Sequence, residues 1–577
     1  MARLTSTDAR LEDAFRLVAD PSVSVLSLDV FDTLIWRKVE EPVDAFFLVG
    51  ERLRAERLSV DHVEPAVFHR LRVAAERRAR DRARGSEVTL AEIYAELPSW
   101  VLAPGATREE LATTELEVER SFILPDLDVL ALVEAARTHG KRVVAVSDTY
   151  LSEAEVRFVL SPTYTDPGQI ERIFTSSDHR DGKAGGLFKT VLAELGAEPE
   201  AVLHVGDHPH SDVAAPRRLG IRTVYFERRP ERLARSLERE RRYVTAPIVP
   251  GQGDFGLTAA RSKVLHRREL RDLPENLRGF WEYGAASLGP AFTGFAEWVV
   301  ERVSERGADR VFCLMREGEV LSRLVGTASA YMGADVTAEP IWLSRQLCSR
   351  AAIQDCTPGE LAGLLRRRQR PTVGELCRTL EVDVELVPTL RTRADLRLTD
   401  ERLAEEVLRT LAYDPELRIQ ILASSHALRE RLVEYVRSRI GPDEHRVLLV
   451  DLGWGATIQS LLARVLRAAE VELETVGLYL ITQGFVSERM LDGFETEGFL
   501  ARLGMPAAAT HAILRSPEIL EQVCMPDVGP QIDLTADLEP ILGEATDADS
   551  VQADERHAIQ QGIASFQREW GRYRAEL

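Results

Sequence analysis

Residues 23–34 read Val23-Ser24-Val25-Leu26-Ser27-Leu28-Asp29-Val30-Phe31-Asp32-Thr33-Leu34. A short apolar run that ends in an acidic segment predicts a buried strand delivering a carboxylate at its carboxyl end. With Val23 to Leu28 as the first, three similar runs follow: Arg142 to Val146, Ala201 to Val205 and Ile221 to Phe226. Helical patterns separate them, which predicts a right-handed parallel α/β sheet. Such sheets bind ligands beyond the carboxyl ends of their strands. The residues standing there are Asp29, then Ser147-Asp148-Thr149, then Gly206-Asp207 with Asp212 close behind. A lysine, Lys183, lies between the second and third runs in Asp181-Gly182-Lys183-Ala184-Gly185.

Each of these elements is common alone; their order is not. The set Asp29-Val30-Phe31-Asp32-Thr33-Leu34, Ser147-Asp148-Thr149, Lys183 and Gly206-Asp207 with Asp212 resembles the four motifs of the haloacid dehalogenase (HAD) superfamily. The resemblance implies a HAD Rossmann-like parallel sheet with a helical C1-type cap inserted after the first strand. It also implies the roles. Asp29 is the nucleophile that forms an aspartyl-phosphate, and Thr33 belongs to the same loop. Ser147, beside Asp148, hydrogen-bonds the phosphoryl group, and Lys183 neutralises it. Mg²⁺ is held by Asp29, Asp207 and the backbone of Phe31, with Asp212 supporting the metal water or Lys183. Charge arithmetic agrees, because a carboxylate attacking a phosphoryl dianion needs a hard cation and an ammonium nearby.

One position departs from the family pattern. HAD phosphatases place a second Asp two residues after the nucleophile, where it protonates the leaving group; here that residue is Phe31. The contribution in question is roughly 10²–10⁴ in rate. Three readings stay open: a substrate with a good leaving group such as an acyl phosphate, another proton donor such as Asp32 or a cap residue, or a catalytically weak binding or scaffold module. Dehalogenases carry an aromatic residue at this position, but their fourth motif lacks the Gly206-Asp207 found here.

The remaining sequence bounds the setting. The chain has 577 residues and a net charge of -20, which argues against a general nucleic-acid binder. Five scattered cysteines form no pair of metal-binding spacing, and no run is long enough for a membrane span, so a cytoplasmic protein is expected. Between the first two strand runs lies an insertion of about a hundred residues, far beyond a normal crossover and helical in pattern. It contains the basic segment Arg70 to Gly85, read either as a solvated helix face or as a cationic wall for an anionic substrate. The expected domains are a HAD-like unit at 1–245 with its cap at about 38–125, a second α/β domain at 246–531, and an acidic then helical segment at 532–577.

Strand candidates in the second half are Arg310 to Leu314, Ile341 to Leu343, Arg446 to Val450 and Val476 to Ile481. Arg316 and Arg345 follow two of them, and Asp451-Leu452-Gly453-Trp454-Gly455-Ala456-Thr457 follows a third as a strand-to-helix loop able to cradle an anion. Arg316, Arg345 and this loop are therefore expected to form a substrate-binding anion site. The first-half motifs and these segments together resemble a bacterial HAD subgroup associated with glycosyltransferases and surface-polysaccharide synthesis. The resemblance implies a phosphorylated small-molecule substrate and, as partners, a glycosyltransferase or another biosynthetic enzyme.

Overall fold

The computed structural model describes residues 6–161, 169–243, 256–365, 370–441, 444–484, 486–502, 511, 514–544 and 552–574. The chain divides into two compact units after Arg278. The sequence places this boundary at 245, in a Pro- and Gly-containing stretch whose residues 245–255 lie outside the described ones. Downstream of it the chain is still part of the first unit. Helix Leu257–Val264 is buried there, and its Lys263 ammonium pairs with Asp126 at 2.7 Å and Asp128 at 2.8 Å.

In the first unit the strands are β1 (Val25–Leu28), β2 (Ile35–Arg37), β3 (Ile123–Pro125), β4 (Arg142–Ser147), β5 (Arg172–Thr175), β6 (Val202–Gly206) and β7 (Arg222–Tyr225). Five of them form a parallel sheet in the order β5-β4-β1-β6-β7. All four expected strands are present. β5 is additional: only Ile173 and Phe174 of its four residues are apolar, too short a run to stand out.

β2 and β3 pair antiparallel and form the stem of the insertion. Between them lie the helices Ala45–Ala55, Pro65–Ala83, Leu90–Ala95 and Arg108–Ser121, the all-helical cap that the pattern predicts. Thr89 and Glu92 make the expected reciprocal capping box. Three arginines of the basic helix Pro65–Ala83 are matched by carboxylates. Arg72 is fully buried and binds Glu115 through two hydrogen bonds of 2.7 and 2.8 Å. Arg80 pairs with Glu76 and Glu87, and Arg82 with Glu96.

The second unit contains β8 (Arg310–Leu314), β9 (Thr337–Ile341), β10 (Arg446–Trp454), β11 (Glu474–Thr482) and β12 (Glu495–Ala501). They form a second parallel sheet in the order β12-β11-β10-β8-β9. β9 ends where the sequence expects it to begin, and β10 runs past Val450 through Trp454. β12 is unexpected because charged and small residues interrupt its apolar positions. A small hairpin, β13 (Gln531–Leu534) with β14 (Pro540–Leu542), precedes the final helix Ala553–Arg574. That helix places Ile563 in the core of the second unit. Among the described residues no helix is long and apolar enough to cross a membrane.

Candidate active site

Numbered along the chain, the first sheet has strand order 3-2-1-4-5, and the order reverses between β1 and β6. Ligands of open parallel sheets bind at such a reversal. Asp29 leaves β1 at this point, its backbone N–H held by the carbonyl of Val205 at 2.9 Å. Asp207 leaves the neighbouring β6, and the next turn returns Asp212 beneath it. Carboxylate oxygens of Asp29, Asp207 and Asp212 lie within 4.8 Å of one another.

Lys183 enters from the segment after β5. Its ammonium is 2.9 Å from Asp29 Oδ1 and also binds Asp212 Oδ1. Asp148, expected to touch substrate, accepts the backbone N–H of Lys183 at 2.8 Å and so fixes the lysine loop. Ser147 ends β4 and is buried; Thr33 is buried too, and its hydroxyl has no protein hydrogen-bond partner.

Three carboxylates around one ammonium leave the cluster short of positive charge. Burial, opposed by Lys183 and reinforced by Asp212, raises the Asp29 carboxyl to about 6. Burial and the charges of Asp29, Asp32 and Asp212 push Asp207 up to about 8. Burial also works against Asp212, but Lys183 and His204 overcome it and hold that carboxyl below its ordinary range. The Lys183 ammonium is raised, the attraction of Asp29 and Asp212 outweighing its burial. Asp207 is thus the carboxylate without an ammonium of its own. Oxygen donors with an uncompensated negative charge suit a small divalent cation such as Mg²⁺, so the donor set fits one.

Asp212 is also held from behind. His204 Nε2 lies 3.1 Å from Asp212 Oδ1, and its Nδ1 lies 2.8 Å from Ser27 Oγ. Burial lowers the His204 pKa and keeps the ring neutral. The partners then assign its proton to Nε2, which donates to the carboxylate, while Nδ1 accepts from Ser27. The backbone N–H of His208 donates to Asp212 Oδ2 at 2.9 Å. Gly206 permits this packing, since a Cβ there would meet Asp212 Cγ at 2.4 Å.

Sequence reasoning misses the supporting residues Ser27, His204 and Ser176. Ser176 accepts from the Thr149 N–H at 2.9 Å and donates to the Thr149 carbonyl at 3.1 Å, clamping the loop after β4. Polar residues at the interior positions Ser27 and His204 of otherwise apolar strands are the signal that would have found two of them.

The proton-donor position is closed. Phe31 lies beneath the Arg37 guanidinium, 4.1 Å from its ring centre, and Arg37 pairs with Glu119 at 3.1 Å. Asp32 has a left-handed backbone (φ 58°), and its carboxylate pairs with Arg228 at 3.1 Å. Arg316 and Arg345 stand in the second unit, where both line a cavity with Asp451, Gly453 and Trp454.

Residues 181–240 match the HAD-hydrolase-like family model, a segment that carries Lys183, Asp207 and Asp212. That segment of the first unit is thus similar to HAD-like hydrolases. Among solved structures, a 2-haloacid dehalogenase from Pseudomonas syringae pv. tomato is 17% identical, covering 41% of this chain and 99% of its own, with a TM-score of 0.28. A predicted phosphoglycolate phosphatase from Haemophilus somnus is 12% identical over 35% of this chain and 84% of its own (TM-score 0.24). A HAD family enzyme from Bacteroides thetaiotaomicron, in a magnesium complex, is 16% identical over 36% and 96% (TM-score 0.25). No curated protein matches the chain. These likenesses are too distant to carry chemistry, and the functional reading stands on the Asp29 site itself.

Proposed function

We propose that this protein is a Mg²⁺-dependent phosphohydrolase that acts on a phosphorylated small molecule through an aspartyl-phosphate on Asp29. The carrying observation is the convergence of Asp29, Asp207, Asp212 and Lys183 where the first sheet reverses its strand order. Asp29 Oδ attacks phosphorus, the bond from phosphorus to the leaving oxygen breaks, and water then cleaves the acyl phosphate. Lys183 holds Asp29 ready for attack and neutralises charge on the phosphoryl oxygens. Ser147 hydrogen-bonds those oxygens, while Asp148 and Ser176 fix the two loops. Mg²⁺, held by Asp29, Asp207 and the carbonyl of Phe31, would supply the positive charge the carboxylates lack.

Phe31 and the engaged Asp32 leave the departing oxygen without a carboxylic acid. Acyl phosphates, whose leaving group needs no proton, are accordingly better substrates than sugar phosphates. The test is phosphate release from a panel of both classes with Mg²⁺. Wild type should turn over at least one of them, and Asp29→Asn should lose activity by at least about 10³-fold, as expected for a lost nucleophile. Equal rates for the two proteins would end the catalytic reading. A polysaccharide-synthesis setting with a glycosyltransferase partner, and a cytoplasmic location, belong to the same proposal and rest on the subgroup resemblance.

A further inference from the structure

The second sheet has its own reversal. Along the chain its order is 2-1-3-4-5, and the reversal falls between the adjacent strands β8 and β10. Two helices of 15 and 12 residues, Gly318–Met332 and Thr457–Ala468, begin just beyond these strand ends. A cavity of about 460 Å³ opens there, lined by Glu317, Arg345, Asp451, Trp342, Trp454 and Gln531 among others. A second cavity of about 420 Å³ shares Arg345, Asp451 and Trp454 with it and adds Arg464 and Arg489. Volumes of this size suit a small metabolite.

The two halves differ in chemistry. In the first, Gln531 is 2% exposed, and neither its carboxamide oxygen nor its nitrogen has a hydrogen-bond partner. Such buried groups are costly to leave unpaired, so they point to a bound molecule. Glu317 and Asp451 face the same space; burial raises both carboxyls, reinforced at Glu317 by Glu521 and at Asp451 by Glu317. Arg316 also lines this half, but it stands against Glu317, Glu521 and Asp451, so a bare anion is a poor occupant there. Hydroxyl groups suit it, since they donate to the carboxylates and both donate to and accept from Gln531. Trp342 and Trp454 add flat apolar faces. The second half sets Arg345, Arg464 and Arg489 against Glu360 and Asp451, a net positive lining, and it includes the start of the helix at Thr457, where backbone N–H groups favour an anion.

The geometry points to a binding site in the second unit for a phosphorylated polyol, its hydroxyls against Glu317, Asp451 and Gln531 and its phosphate towards Arg345, Arg464 and Arg489. A sugar phosphate and a nucleotide both carry this chemistry. The site is separate from the chemistry at Asp29 and does not rest on it.

Isothermal titration of the full-length Asp29→Asn protein in EDTA tests the site apart from metal-dependent turnover. The probes are glucose 1-phosphate, uridine 5′-monophosphate, inorganic phosphate and glucose. One of the two organic phosphates should bind at least tenfold more tightly than inorganic phosphate or glucose, and the tighter one names the ligand class. Adding Gln531→Leu or Arg345→Ala should weaken that binding at least tenfold, whereas adding Asp207→Asn should leave it unchanged. Gln531→Leu also separates binding from structure. Removing two unpaired buried polar atoms should leave the melting temperature of the free protein unchanged or raised. If Arg345→Ala fails to fold, Gln531→Leu decides. No preference for an organic phosphate, or full affinity in Gln531→Leu, would overturn the site.

Discussion

Asp207 is where the charge balance of the Asp29 site is most exposed to experiment. Its carboxyl titrates near 8 and that of Asp29 near 6 in the metal-free protein, both above the ordinary carboxylate range because of burial and neighbouring negative charge. A carboxyl raised on folding favours the folded state at low pH, and that advantage is lost as pH rises through the folded value. In EDTA, therefore, the first unit should lose stability between about pH 4 and pH 8. Mg²⁺ needs these carboxylates ionised, so it should raise the melting temperature at pH 8 and have little effect at pH 5. A melting temperature in EDTA that climbs over this range, or an equal Mg²⁺ effect at both pH values, would contradict the assignment. Phe31 offers a second single-residue test. Phe31→Asp places a carboxyl where the leaving oxygen departs, so it should speed sugar phosphate hydrolysis by up to roughly 10²–10⁴ while changing acyl phosphate rates little. The ratio of the two rates is the readout, because a change in folding would move both together.

At the scale of elements, the cap is joined to the catalytic loop by a buried polar cluster. Glu115, on cap helix Arg108–Ser121, accepts from Arg72 on another cap helix and from Tyr94 at 2.7 Å. It also accepts from Tyr150 at 3.1 Å, and Tyr150 belongs to the loop that begins at Ser147. The Arg72 guanidinium lies 4.4 Å from the centre of the Phe46 ring and 4.9 Å from that of Tyr150. Removing one partner of a buried ion pair leaves an uncompensated charge and costs about 3–5 kcal/mol. Glu115→Ala should therefore destabilise the first unit by that order, measured by urea unfolding. It should also slow phosphate release, because the Ser147 loop loses its tie to the cap. Arg72→Met with Glu115→Leu removes both charges and should recover most of the stability. Recovery of stability without recovery of rate would show that the Tyr150 contact matters for positioning.

Across the molecule, legibility follows the length of the apolar runs. β1, β4 and β6 were readable because each is a largely buried run with chemistry at its end, and the same holds for β8 and β10 in the second unit. β5 and β12 were not, since Arg172 and the charged Glu495 and Glu497 mask their short apolar content. Asp29, Lys183, Asp207 and Asp212 were legible from order alone. The cluster that supports them was not, because Ser27, His204 and Ser176 meet only when distant strands pair. The boundary moved from 245 to 278 for a similar reason: the Lys263 pairs with Asp126 and Asp128 join segments far apart in sequence. Each unit encloses its own sheet and core, with a candidate site at its own strand reversal. Ligand linkage then acts locally, since a ligand stabilises the structure that holds it. Hydrogen exchange of the full chain followed by mass spectrometry should show slower exchange on adding Mg²⁺ in peptides spanning Asp29, Lys183 and Asp207. Peptides spanning Glu317, Asp451 and Gln531 should be unchanged by Mg²⁺ and slowed by the organic phosphate that binds the second unit. Protection by Mg²⁺ around Asp451 with none around Asp207 would place the cation in the second unit and undo the division of labour argued from the two sheets.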